Sequence, residues 1–266
     1  MHPVINIATR AARAAGSIQR RYQGHLDALT ISQKSDNDFV SEVDRASEQV
    51  IIETLRKAYP DHAILAEESG QHSGNEFEWV IDPLDGTTNY LYAIPQFSVS
   101  IALRRRGVLE HAVVYDPMRD EMFTASQGAG ATCNGRRLRV TARKNLTGAL
   151  IGTGIPFRDQ RHLDTYLAML RDIITANSAG IRRPGSAALD LAWVAAGRYD
   201  GFWELGLSPW DFAAGALLVR EAGGVVSDLA GGDLYFESGN LVAANVKLHR
   251  VLVETLKPHL HAQLAA

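Results

Sequence analysis

The chain is poor in the features that mark the simplest classes of protein. Its 266 residues include a single cysteine, Cys133, which excludes an internal disulfide framework and a cysteine-based zinc site and fits a reducing compartment, the cytoplasm. No stretch approaches the roughly 18 consecutive apolar residues of a membrane span. The opening "MHPVINIATRAARAAG" sets arginines inside an alanine-rich amphipathic pattern and lacks the unbroken apolar run of a secretory leader, so it reads as a first helix. Neither sign of charge dominates: a formal net charge of -3 with 21% charged residues gives no global reason to expect nucleic acid as a partner. Internal repeats, low-complexity tracts and long linkers are lacking, and the 9 histidines form no metal-spaced pair.

What is present is ordinary globular material, 46% apolar and long enough to bury a large core, so size permits an enzyme. The patterning predicts helices over about 3 to 22 and 41 to 58, the second with Ser41 as N-cap and Pro60 past its end. A polar loop, "SQKSDNDFV", is expected between them. Two short apolar runs, "HAILAEE" and "EWVID", each finish on carboxylates. "FSVSIAL", "HAVVYDP" and "EMFTASQG" then read as an antiparallel meander within a mixed sheet. From about residue 149 strand and helix alternate, with helices over about 161 to 176, in "SAALDLAWVAAG", in "SPWDFAAGALLVREAGG" and over about 247 to 263. The expectation is an α/β (α+β) protein forming one domain, 1–266, of two closely joined lobes, about 1–145 and 146–266.

Residues 79 to 90, "WVIDPLDGTTNY", drive an apolar strand into two aspartates, a proline and a glycine. Glu67, Asp82, Asp85 and Asp211 each stand at a strand end or helix start, where side chains from separate elements can converge. Hard divalent cations, Mg²⁺ above all, are held by such carboxylates together with waters and phosphate oxygens. Asp82 and Asp85, three apart with Pro83 stiffening the turn between them, could face one ion pair from the same loop, and the intervening Leu84 carbonyl would point inward as well. Gly86 and Thr87 follow where a helix can begin, so free N–H groups would face a phosphate beside the metal. Phosphate ester hydrolysis is the reaction class that this combination suits. The competing reading of each piece alone is plain: a turn for the Asp-Pro-x-Asp-Gly segment, a solvated strand end for Glu67, a first-turn helix acid for Asp211.

Together, "AEES", "WVIDPLDGTTNY" and "SPWDFAAGALLVREAGG" resemble, in order and spacing, the motifs of the inositol monophosphatase family, over nearly the whole chain. "MHPVINIATRAARAAG" and "RRPGSAALDLAWVAAGRYDGFWELGL" further resemble its bacterial extragenic-suppressor subgroup, whose members combine the phosphatase fold with a role in ribosomal RNA transcription. The resemblance implies a layered α-β-α-β-α sandwich and Mg²⁺-dependent, lithium-sensitive hydrolysis of myo-inositol monophosphate by an activated water. It implies Glu67, Asp82, the Leu84 carbonyl, Asp85 and Asp211 as metal ligands. Thr87, supported by Asp44, would help Glu67 orient the water. Gly86 and Thr87 would hold the phosphate, while Asp85, Ser186, Ala187, Glu204 and Asp211 would line the inositol pocket. Arg182 is a weaker pocket candidate that equally suits a dimer interface. Lys34 matches a mobile catalytic-loop position. Implied partners are a second copy of the chain and transcription machinery, RNA polymerase or Nus-type factors. Relatives with the same metal core acting on 3',5'-bisphosphate nucleotides or fructose 1,6-bisphosphate are the rival enzymes, and a regulatory binding protein is the rival of another kind. The basic stretch "GRRLRVTARK" reads as a solvated hairpin in preference to an RNA contact, because no aromatic residues interleave it. Cys133 reads as packed, not reactive.

Overall fold

The computed structural model describes residues 2–23, 31–35, 38–157, 159–261 and 264, with main-chain positions alone for 31–35 and 38–40. Helix α1 (Pro3–Gln23) buries Val4, Ile5, Ala8, Ala11, Ala12 and Ala15, three and four residues apart on one stripe. The small side chains let it lie close to its neighbours; at Gly16 a Cβ would come within 2.6 Å of the Tyr115 ring. Helix α2 (Glu42–Ala58) starts at Ser41 and packs beside α1. The segment expected as a polar loop is largely a hairpin, β1 (Ile31–Ser35) against β2 (Asp38–Ser41). Polar composition misled because main-chain pairing satisfies the backbone whatever the side chains are. Lys34 lies on β1, and its side chain is outside the described residues.

The first sheet is formed by β3 (Ala63–Ala66), β4 (Gly70–His72), β5 (Phe77–Asp85), β6 (Ser98–Arg105), β7 (Val108–Asp116), β8 (Glu121–Ser126), β9 (Gly130–Cys133) and β10 (Arg136–Arg137). Its order is β10-β9-β8-β7-β6-β5-β3-β4, antiparallel throughout except between β3 and β5. The expected meander is β6, β7 and β8, joined by tight turns. Along β5 and β6, Trp79, Ile81, Val99, Ile101 and Leu103 point to one face and pack under α1 and α2. Val80 and Ala102 point to the other face, as the twofold period of a strand requires.

After the short helix α3 (Thr87–Leu91), the second half adds β11 (Leu150–Thr153), α4 (Leu163–Thr175), β12 (Gly180–Arg182), α5 (Ala187–Ala195), β13 (Gly201–Glu204), α6 (Pro209–Glu221), β14 (Gly224–Ser227), α7 (Tyr235–Ser238), β15 (Leu241–Asn245) and α8 (Val246–Leu256). The second sheet runs β12-β11-β13-β15-β14, parallel from β12 to β13 and antiparallel around β15, a strand the sequence pattern did not single out. The last helix is shorter than expected. It ends at Leu256 and passes into a 3₁₀ turn, Lys257–His259, where Pro258 has no N–H to continue the ladder.

Helices α5 and α6 lie between the two sheets, so they are apolar on nearly every side: all but one residue of α5 and a continuous run from Phe212 to Val219 of α6 are buried. The outer face of the second sheet, with Ile151, Trp203, Val242 and Ala244, packs on α4 and α8. The order of layers is therefore helix, sheet, helix, sheet, helix, the expected α-β-α-β-α sandwich. Each fully buried Leu, Phe or Val in these seams contributes on the order of 1.5–3 kcal/mol relative to exposure. Among the described residues, no helix is long and apolar enough to cross a membrane.

Candidate active site

Asp82 and Asp85 are three apart, and in a regular strand they would point to opposite faces. A bulge corrects this. Asp82 pairs with Ser100 and Asp85 with Ser98, so three steps on β5 match two on β6, and both carboxylates emerge on the face toward α5 and α6. Pro83 and Leu84 fill the bulge. Pro83 has no N–H to leave unpaired, its carbonyl accepts the Gln19 side-chain amide at 2.7 Å, and the Leu84 N–H donates to Asp82 Oδ1 at 2.9 Å. The Leu84 side chain is buried among Val43, Tyr90 and Phe97. Its carbonyl faces Thr87, whose hydroxyl lies 3.1 Å away.

Asp85 is the outside cap of another helix: its Oδ2 accepts the Ser186 hydroxyl at 2.6 Å and the Ala188 N–H at 2.8 Å, at the start of α5. Asp211, in the first turn of α6, accepts the Ser208 N–H at 2.7 Å. Glu67 directly follows β3, where its N–H still pairs with the Ile81 carbonyl at 3.2 Å. These residues line one cavity of about 500 Å³, with Leu84, Gly86, Thr87, Ser186, Ala187 and Glu204 also on its wall. Of the expected substrate residues, Arg182 is not there. The last residue of β12, it is exposed and turns its guanidinium back to the Ile181 carbonyl at 3.0 Å, while Arg183 lines the cavity, stacked over Phe157.

Electrostatics mark the cluster as costly. Burial holds Asp82 well above the usual carboxylate range, and the nearby charges of Glu67, Asp85 and Asp211 push the same way. Burial raises Asp85 to about 6; the hydrogen bonds from Ser186 and Ala188 oppose that shift, and Glu67 adds to it. Among the described residues, no three His, Cys, Asp or Glu side chains are already drawn into one metal-holding group. The donors nonetheless fit a hard divalent cation: buried carboxylate oxygens and a main-chain carbonyl around one cavity, each anion raising its neighbours' cost, the situation that a bound cation relieves.

Thr87 and Asp44 form the adjoining half of the site. Asp44 caps α2, accepting the Ser41 N–H at 2.8 Å and the Ser41 hydroxyl at 2.5 Å, and its other oxygen accepts the Thr87 hydroxyl at 3.0 Å. Burial raises Asp44, and those hydrogen bonds hold it back toward the ionised form. Gly86 has φ +100, in the left-handed region, and a Cβ there would stand 3.0 Å from the Gln96 carbonyl oxygen and 3.1 Å from that of Gly185. Only glycine lets the chain turn from β5 into α3 this tightly against two other loops.

Several supporting residues escaped the sequence reading. Gln19 holds the bulge, Glu48 accepts the N–H groups of Glu68 and Ser69 at 2.8 and 2.9 Å and so fixes the turn behind Glu67, and Asn89 ties α3 to the Gln96 and Pro184 carbonyls, each at 2.7 Å. The available signal was a polar residue on an apolar stripe: Gln19 continues the row Ala8, Ala11, Ala12, Ala15, and Glu48 stands in the row Val43, Ser47, Ile51, Leu55. The basic stretch is a hairpin at its start, with Arg136 and Arg137 exposed on β10, and farther on Arg143 pairs with Asp200 at 3.0 Å. Cys133 is half-buried against the core, which pushes its thiol up to about 11.

Comparison with known proteins identifies the family and the fold. The family model described as the inositol monophosphatase family matches residues 1–264. A Pseudomonas aeruginosa protein named Nus factor SuhB is 56% identical, with 99% of each chain covered. The crystal structure of an extragenic suppressor protein from Bartonella henselae superposes with a TM-score of 0.93 at 46% identity, covering 96% of this chain and 99% of that one. An inositol monophosphatase structure from Anabaena gives a TM-score of 0.83 at 42% identity over 96% of this chain and 95% of its own. With the family model matched over residues 1–264 and relatives at 56% and 46% identity covered nearly end to end, the chain belongs to the inositol monophosphatase family.

Proposed function

We propose that this protein is a cytoplasmic, Mg²⁺-dependent phosphatase that hydrolyses myo-inositol monophosphate to inositol and inorganic phosphate. The observation that carries the reading is the β5 bulge, which turns Asp82 and Asp85 to one face beside Glu67 and Asp211. A strand needing only a turn would have no reason to concentrate four anions on one wall. In this reading Glu67, Asp82, the Leu84 carbonyl, Asp85 and Asp211 hold the metal. Bound there, Mg²⁺ supplies the positive charge that stabilises the attacking and leaving oxygens of an in-line displacement. Thr87 donates its hydroxyl hydrogen bond to Asp44, which leaves the hydroxyl oxygen to accept from a water, and Glu67 shares in orienting that water. The N–H groups of Gly86 and Thr87 hold the phosphate. Ser186, Ala187 and Glu204 line the space left for the polyol, where a carboxylate suits hydroxyl groups better than a second phosphate. The test is turnover of inositol-1-phosphate, a 3',5'-bisphosphate nucleotide and fructose 1,6-bisphosphate with Mg²⁺ and with EDTA. Inositol-1-phosphate should be preferred, EDTA should abolish turnover, and lithium and Ca²⁺ should inhibit. Full turnover in metal-free buffer would remove the reading.

A second task rests on the relative named Nus factor SuhB. In this reading the same fold also contacts transcription machinery as a homodimer. Pull-down of RNA polymerase and Nus-type factors should be equal for wild type and Asp85→Asn if contact is independent of catalysis. Gel filtration should show about twice the chain mass of 29.0 kDa, and a purely monomeric profile would count against the dimer.

A further inference from the structure

Helix α5 carries one charged residue, Asp190, in an otherwise apolar sequence, "AALDLAWVA". Solvent reaches only 1% of it, yet it lies on the wall of the cavity that holds the carboxylate cluster. Its Oδ1 is buried and has no hydrogen-bond partner. Such an atom forfeits its hydration without compensation, which is rare in folded proteins and is tolerated where something else completes the bond. Burial pushes its carboxyl well above the ordinary range, with Glu204 and Asp85 adding to the shift and Arg183 opposing it.

The fold explains why this position is special. Ser186 and Ala188, at the start of α5, hold Asp85, and Asp190 follows within the same first turns, its N–H bonded to the Ser186 carbonyl at 3.0 Å. The helix that fixes one metal-site carboxylate thus also places a second acidic residue on the wall of the same cavity. On the facing strand, Glu204 closes β13, and Gly154 makes room for it, since a Cβ there would overlap the Glu204 carboxylate.

Resting on the polyol reading above, we propose that Asp190 is a specificity-determining residue whose carboxyl group, on the cavity wall, accepts a hydrogen bond from a ring hydroxyl of the leaving group. In either protonation state a carboxyl group keeps an acceptor oxygen, so the contact does not depend on which form is present. A site built to hydrogen-bond a substrate hydroxyl discriminates strongly against a substrate that lacks one, because its own buried group is then left unpaired. Asp190 lies outside the metal ligands and takes no part in water activation. Its removal should therefore act on polyol substrates selectively.

The experiment compares wild type, Asp190→Ala, Asp190→Leu and Asp190→Asn on inositol-1-phosphate and on p-nitrophenyl phosphate, whose leaving group has no ring hydroxyl, with thermal unfolding of each protein. Asp190→Ala should raise KM for inositol-1-phosphate about tenfold with kcat within about threefold. Its kcat/KM for p-nitrophenyl phosphate should stay within about twofold. Asp190→Asn, which keeps a carbonyl oxygen of similar shape, should recover most of the polyol KM; Asp190→Leu, which keeps the volume of the side chain in this apolar helix without an acceptor, should show the same selective loss as the alanine variant and provides the readout if that variant fails to fold. Equal losses on both phosphates would assign Asp190 a structural role and overturn the proposal, as would unchanged KM in the alanine and leucine variants. If wild type hydrolyses p-nitrophenyl phosphate but not inositol-1-phosphate, the polyol reading itself falls and this proposal with it; selective failure of the variants to discriminate removes this proposal alone.

Discussion

The two faces of the eight-stranded sheet are built from the same strands and do different work. Toward α1 and α2, Trp79, Ile81, Val99, Ile101 and Leu103 form an apolar seam. Toward α5 and α6, the same two strands present Val80 and Ala102 and then, at one end, Asp82, Asp85, Ser98 and Ser100, all nearly or fully buried. A polar exception on the first face is also instructive. His111 on β7 stacks on His2 of the leading segment with centroids 4.3 Å apart and shares a 2.8 Å hydrogen bond with Ser126, so its needs are met locally. On the second face the carboxylates burden one another. Where buried polar groups are satisfied they anchor structure, and where they are crowded and under-compensated they mark the place where a ligand acts.

The sharpest way to break this comparison is Asp85→Asn. Asparagine preserves shape and turn chemistry but removes a charge, so turnover of inositol-1-phosphate should fall by on the order of a hundredfold or more at limiting Mg²⁺. Without metal, the melting temperature should hold or rise, because one of several crowded anions is gone. Near wild-type turnover in a folded variant would show that the bulge serves the turn alone.

On the opposite face, Ile101→Ala should do the reverse. It opens a cavity under α1 and α2 and should cost about 2–5 kcal/mol in denaturant unfolding while leaving kcat within about twofold. A large loss of kcat at full folding would show that the faces are coupled. Gln19→Leu tests an α1 residue that reaches from seam to site: losing its bond to the Pro83 carbonyl should lower kcat by about two- to tenfold, the worth of one buried hydrogen bond. An unchanged kcat would mean that the bulge holds its shape without it.

The smallest expected effects are in pH, and here the faces should differ in sign. Asp85 is raised in the folded metal-free protein to about 6, so the fold binds its proton more tightly than the unfolded chain does. That contribution is complete below the ordinary aspartate range and is lost as pH rises through about 6. Burial, with the His2 ring beside it, lowers His111 to about 4, so its contribution is present above about 6.5 and is lost as pH falls toward 4. Metal-free melting curves should therefore lose their acid-side advantage in Asp85→Asn and their acid-side penalty in His111→Asn. Identical pH profiles for both variants would contradict the assignment.

Much of this protein is determined by local sequence. The helices α1 and α2 and the β6–β8 meander follow from periodicity, Ser41 and Pro60 bracket α2, and the run of carboxylates and turn-formers in "WVIDPLDGTTNY" marks the site. Those signals are short-range, set by side-chain spacing and by what each residue permits its own backbone. Tertiary structure alone decided the rest. Whether Asp82 and Asp85 share a face depends on the pairing of β5 with β6, a register the strand cannot carry by itself. That Arg183 and not Arg182 lines the cavity follows from where β12 ends against β11. The interior strand β15 is defined by partners on both sides, and the hairpin of β1 and β2 by main-chain pairing that polar composition conceals. Asp190 is one acid in an apolar helix until α5 is placed between two sheets; burial and the cavity beside it then give its unpartnered oxygen a meaning, because the cost of an unmet hydrogen bond exists only where water has been excluded.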